Sequence, residues 1–225
     1  MAEKPVDEIL NRLERRSAER ASPGTALGRT PSWKGTPFTV LVATVLSQRN
    51  RDECTYLAAE RLFAEYPTPK ALMDAPLGRV DELIRTVNFH YGKARAITEI
   101  ARIIHDDYGG EVPADADRLM ELPMVGRKTA NCVLAYAFKL DAICVDVHVH
   151  RISNRIGLVR SSSPEGTEEQ LMQVVPRERW RSINEIMVRF GQEVCTPMRP
   201  KHDLCPITEF CDHYQGSLRR DEGGA

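Results

Sequence analysis

The sequence predicts an all-α protein of one large or two small domains, and three observations lead there. Apolar residues recur with helical spacing along most of the chain, while strand-like alternation is nearly absent. There is no internal repeat, and the only low-complexity stretch is the polar tail RRDEGGA, which is expected to fray. A length of 225 residues is near the upper edge of one domain and comfortable for two small ones.

The elements follow in order. In PVDEILNRLERRSAER, Val6, Ile9, Leu10 and Leu13 form one apolar stripe against a charged outer face. Ser22 to Gly35 is polar, carries proline and glycine, and reads as a linker. Pro37 then opens a helix bearing Phe38, Leu41, Val42, Val45 and Leu46, and a second runs from Arg51 to Tyr66. Pro67 and Pro69 break that run, and short helices are expected around Ala71 and Val80. Lys93 to Tyr108 repeats the stripe with Ile97, Ile100, Ala101 and Ile104, and Gly109-Gly110 stops it. Asp115 caps a short helix ending near Leu122, and the turn LPMVG leads into Arg127 to Phe138. Further helices are expected over Val147 to Ile156, Glu168 to Val175 with a Thr167/Gln170 capping box, and Arg177 to Phe190.

Lys+Arg 31 against Asp+Glu 32 leave a net charge of −1, which excludes a uniformly basic nucleic-acid coat but not local basic patches. No run approaches a membrane span of roughly 20 apolar residues, and MAEKPVDEIL lacks the apolar core of a signal peptide. The expectation is a soluble, cytoplasmic protein without membrane contact. In that compartment the six cysteines read as reduced thiols or metal ligands. Cys54, Cys132 and Cys144 lie in apolar surroundings and look structural. Cys195, Cys205 and Cys211 crowd the end of the chain, in the stretch C-x6-H-x2-C-x5-C, and look like ligands.

The pair of helices around LPMVG is the most informative feature. Leu119, Leu122 and Ala130 can pack one helix on the next, while Gly126 admits a close backbone approach. The amides that open the second helix, beside Val125, Gly126, Arg127 and Lys128, make a ready phosphate site. One phosphate contact carries no base sequence, so this part would position a nucleic acid without reading it. On the local pattern alone, an ordinary helical corner with two solvated basic residues fits equally well. Further on, Asp146 follows an apolar run in ICVDVHVHR, where an aspartate is ordinarily a helix N-cap.

Taken together, LPMVGRKTAN followed by VDVHVHRISNR, with LSQRNRD upstream and the closing cysteine cluster, closely resembles the endonuclease III branch of the helix-hairpin-helix DNA glycosylases. The resemblance runs from about Pro37 to Cys211, in the same order and with the same lysine-to-aspartate spacing. It implies a six-helix barrel carrying the hairpin over 29–140. A cluster-bearing helical domain would be formed by 1–28 and 141–225, with a DNA-binding cleft between the two. It implies that the hairpin grips damaged double-stranded DNA, that a base is flipped out, and that Lys128 and Asp146 remove it. The protein would act as a monomer, associated with the nucleoid through DNA.

The chemistry needs these residue types. Breaking the sugar–base bond builds positive charge on the sugar, which a buried carboxylate such as Asp146 stabilises. A neutral lysine attacks C1′, forms a Schiff base and nicks the strand by β-elimination. Burial of Lys128 and the adjacent helix terminus would both favour the neutral amine. A lysine here implies a bifunctional glycosylase and AP lyase acting on damaged, oxidised pyrimidines. The alternatives are a mismatch-directed thymine or uracil glycosylase, a DNA-binding module without chemistry, and an iron–sulfur electron carrier.

Flipping a nucleotide leaves a gap that side chains fill. The matching segments are Ser47-Gln48-Arg49 and Phe89-His90-Tyr91, with Arg49 at the family's usual glutamine position and Gln48 one place earlier. Either of the two could enter the duplex. Phe89 is a second wedge or, equally, a core aromatic at a helix junction. His148 matches a cleft residue, and His150 completes a His-x-His pair that is weak evidence for a metal. Met124 replaces the hairpin's first glycine, and Val147 a frequent threonine.

The family's iron–sulfur loop has cysteine where this chain has His202. The resemblance therefore implies a [4Fe-4S] cluster on Cys195, Cys205, Cys211 and His202, with a raised potential because imidazole is neutral. A Cys3His zinc site, a [3Fe-4S] cluster with His202 free, and loss of the site remain alternatives. Arg199 and Lys201 lie between the first two ligands, where they could meet the DNA backbone.

Overall fold

The computed structural model describes residues 4–18 and 35–222. Residues 22–34 of the expected linker, the expected 28/29 domain boundary and the last three residues of the tail lie outside the described residues. Everything described is helix, turn or loop, with no strand among the described residues. Nor is any helix there long and apolar enough to cross a membrane.

The chain divides into two compact units, Met1–Gly24 with Ile143–Ala225, and Thr25–Ala142. The continuous unit contains α2 (Pro37–Ser47), α3 (Asp52–Glu65), α4 (Pro69–Met73), α5 (Leu77–Leu83), α6 (His90–Asp106), α7 (Ala116–Met120) and α8 (Arg127–Tyr136). Helix α2 is buried from Phe38 to Leu46, which is why it is apolar on every side. It packs on α3, α6 and α8, and a Thr36/Thr39 capping box with Pro37 behind it fixes where it begins. Helix α6 buries the expected stripe against α4 and α5, then ends before Gly109 and Gly110, both with positive φ. It starts at His90, ahead of the expected Lys93, because Phe89 turns the chain in the left-handed region at φ 57°. Helix α8 stops at Tyr136, short of the expected Phe138.

The discontinuous unit contains α1 (Val6–Ala18), α9 (Val147–Ile156), α10 (Pro164–Val174), α11 (Trp180–Glu193) and α12 (Asp212–Glu222). The stripe of α1 supplies Ile9, Leu10 and Leu13 to one core with Val149, Ile152 and Ile156 of α9 and Ile183, Met187 and Phe190 of α11. That burial binds the start of the chain to its end. Two expectations are corrected here. Helix α10 begins at Pro164, because Ser163 and not Thr167 caps it by accepting from Gly166 N at 3.1 Å. Thr167 instead donates to Ser163 O, and Gln170 bonds Arg160. The polar tail is not wholly frayed, since α12 reaches Glu222.

Candidate active site

In the continuous unit the hairpin joins α7 to α8. Asp115 caps α7 by accepting from Arg118 N at 2.9 Å, and Leu119, Leu122 and Ala130 are buried as the packing faces. Gly126 is the extended N-cap of α8, with no side chain to occupy the amides of the first turn. A Cβ there would meet nothing of the protein within 4 Å, so internal packing does not require the glycine. Met124 makes the turn at φ 60°, taking a left-handed conformation that the family's glycine would hold without strain. Arg127 and Lys128 are exposed on the first turn of α8. The expected burial of Lys128 is therefore not found. Val125, expected to face DNA, is 5% exposed and its N–H is bonded to Leu122 O at 3.1 Å, so its side chain belongs to the core.

Two loops meet beside this turn. Gln48 Nε2 donates to Met124 O at 2.7 Å and to Thr129 Oγ1 at 3.3 Å, so its amide is spent holding the hairpin. Arg49 is exposed at φ 53°. Phe89 is 65% exposed and so is not a core aromatic. Asn88 Nδ2 donates to Arg49 O at 2.7 Å, tying the loop of one to the loop of the other. Beneath them Lys93 is 1% exposed and donates from Nζ to Leu46 O at 2.8 Å and to Gln48 O at 2.7 Å. Burial lowers its ammonium to about 8. Sequence reasoning missed Lys93, although its position four residues before Ile97, on the apolar stripe, was the available signal.

In the other unit Asp146 is the N-cap of α9, as expected, and is half-buried. Its Oδ1 accepts from His148 N and Val149 N, both at 2.9 Å, so Oδ2 takes no part in the cap. His148 Nδ1 lies 3.1 Å from Arg151 Nη2, which also donates to Cys195 O at 2.9 Å. His150 Nδ1 lies 2.7 Å from Thr167 Oγ1. The two histidines thus have different partners at Nδ1.

Cys195, His202, Cys205 and Cys211 line a single pocket with Arg155, His213 and Tyr214. The His202 ring meets Tyr214 edge-on at 4.8 Å and His213 at 6.1 Å. Arg155 Nη1 lies 3.4 Å from Cys195 Sγ and donates to Thr196 O at 2.8 Å. Burial pushes the Cys205 thiol up to about 11 and raises that of Cys211, with the neighbouring cysteines adding to each effect. Among the described residues no three His, Cys, Asp or Glu side chains converge closely enough to hold a single ion. Arg199 and Lys201 are exposed on the intervening loop. His213 and Tyr214 were missed because no helix was expected after Cys211, where α12 begins.

A model described as the HhH-GPD superfamily base excision DNA repair protein matches residues 42–177. The chain is similar to endonuclease III of Thermotoga maritima, 46% identical over 187 residues, which are 83% of this chain and 86% of that protein. It is also similar to endonuclease III of Bacillus subtilis, 37% identical over 189 residues, 84% and 85% of the two. A solved structure of a trapped endonuclease III–DNA covalent intermediate matches with a TM-score of 0.81 at 34% identity, covering 95% of this chain and 98% of that one. A thermostable thymine-DNA glycosylase matches with a TM-score of 0.80 over 93% and 96% of the chains, but at 22% identity this likeness shows the fold alone.

Proposed function

As a member of the endonuclease III family, within the HhH-GPD superfamily of base excision DNA repair proteins, the chain is a DNA glycosylase and AP lyase, and we propose that it excises oxidised pyrimidines from double-stranded DNA through Lys128 and Asp146. The observation that carries this reading is Lys128 at the open amide terminus of α8, on a turn whose glycine has no internal reason to be glycine. A phosphodiester can approach Gly126 and accept from the amides behind it, with Arg127 adding charge.

The Lys128 amine attacks C1′ as the sugar–base bond breaks, and the departing base takes up the proton it needs. Asp146 opposes the positive charge that builds on the sugar. The ring then opens to a Schiff base on Nζ, and loss of a C2′ proton expels the 3′ phosphate, nicking the strand. Phe89 and Arg49 fill the space left by the flipped nucleotide, since Gln48 is already committed to the hairpin. Arg199 and Lys201 meet the DNA backbone, and His148 lies beside the reacting sugar.

Cys195, Cys205, Cys211 and His202 suit a [4Fe-4S] cluster. Soft thiolates with one imidazole fit iron–sulfur chemistry, and all four residues line one pocket. When bound, the cluster supplies a rigid anchor for the loop that bears Arg199 and Lys201.

Lys128→Gln is expected to lose both base excision and strand cleavage, and borohydride should no longer trap it on DNA. Efficient trapping of that variant would sink the assignment. A panel of duplexes tests the substrate: thymine glycol should be excised, and excision confined to G·T or G·U mismatches would overturn the choice of oxidised pyrimidines.

A further inference from the structure

Among the described residues of the continuous unit, four exposed ones hold left-handed backbone conformations without being glycine, and three of them, Arg49, Phe89 and Met124 at φ 53°, 57° and 60°, lie on the hairpin turn and the loops beside it. Such conformations persist where the surroundings over-determine them, and they gather at functional sites. Here the surroundings are three side chains that stitch the three loops together. Gln48 reaches the hairpin turn at Met124 O, Asn88 reaches Arg49 O, and the buried ammonium of Lys93 closes the end of α2 by donating to Leu46 O and Gln48 O. Lys93 sits one turn into the helix that Phe89 caps, and its own N–H bonds Phe89 O at 3.0 Å. One residue therefore touches both the loop of Arg49 and the loop of Phe89.

We propose that Lys93 and Asn88 are positioning residues that lock the loops of Arg49 and Phe89 to each other, so that the duplex meets a surface assembled before it arrives. The inference rests on the reading of Arg49 and Phe89 as the side chains that fill the gap. Neither Lys93 nor Asn88 need touch DNA. Their effect is to remove the ordering that two independent loops would undergo on binding, which matters only when a base must be forced out of a stack.

The full chain is compared with Lys93→Met, which keeps the stem and removes the donors, and with Asn88→Ala at an exposed position. Excision is measured on a thymine glycol duplex, borohydride trapping on a single-stranded abasic oligonucleotide that needs no unstacking, and base extrusion by 2-aminopurine fluorescence beside the lesion. In both variants the loss of kcat/KM on the duplex is expected to exceed the loss of trapping on the single strand, by up to the roughly 10²-fold that a misplacement of about 1 Å costs. The 2-aminopurine signal should fall with it. Asn88→Ala should melt with the wild type, so it decides the matter even if Lys93→Met folds poorly. Equal losses on both substrates, or an Asn88→Ala variant that matches the wild type on the duplex, would overturn the proposal. A wild type that fails to trap yet gives a fluorescence signal the variants lack would sink the lyase reading and leave the positioning role standing.

Discussion

Asp146 both closes the first turn of α9 and, in the proposed mechanism, opposes positive charge, and substitution can separate the two. Asparagine caps a helix about as well as aspartate, whereas alanine forfeits about 1 kcal/mol. Asp146→Asn should therefore melt with the wild type while losing about 10²-fold or more in excision. Asp146→Ala should lose both, and an equal drop in melting temperature for the two variants would refute the separation. Lys93 adds a dependence on pH. Its ammonium is held at about 8 against an ordinary 10.5. Between those values the unfolded chain binds a proton that the folded chain does not, so stability rises with pH across that window. The urea midpoint of the wild type should gain on that of Lys93→Met as the pH passes from about 8 to 10.5, and a constant difference would contradict it.

At the scale of elements, α1 does more than present a charged face to water. Arg12 Nη1 donates to Pro206 O at 3.1 Å, and Lys4 Nζ, just ahead of the helix, donates to Phe210 O at 2.6 Å, so the N-terminal helix and the residue leading into it brace the segment between the last two cysteines. Behind that segment Gly157 ends α9 at φ +86°, where a Cβ would run into the Asp212 carboxylate. The loop is thus held from two sides around its four proposed ligands. Anaerobically purified protein should contain iron and sulfide in equal amounts, and zinc without iron would reject the cluster. His202→Cys replaces a neutral ligand by an anion and should lower the reduction potential in an electrochemical titration. An unchanged potential would remove His202 from the ligand set.

For the whole molecule, a net charge of −1 means that attraction to DNA depends on a few placed cations. Binding to undamaged duplex should be modest, with a small salt slope. Arg199→Ala and Lys201→Ala should each reduce the slope of log K against log salt by about 1. Slopes that stay at the wild-type value in both variants would take this loop off the DNA.

The sequence by itself determined most of the helices, the hairpin, the family and the spacing of the four proposed ligands. Each of these is written in local periodicity, in caps such as Asp115 and Asp146, or in a short motif. It left Gln48 and Arg49 undivided, and only the tertiary structure separated them. The amide of Gln48 bonds a turn far along the chain, while Arg49 stays exposed. The same holds for Val125, which the motif offers to DNA and the core takes, and for Lys93, whose role exists only because α2 ends against α6. His213 and Tyr214 were unreadable for a like reason, since α12 becomes the wall of a pocket only when packed on α9. Hydrogen bonds and burial between residues remote in sequence depend on packing, and packing has no local signature.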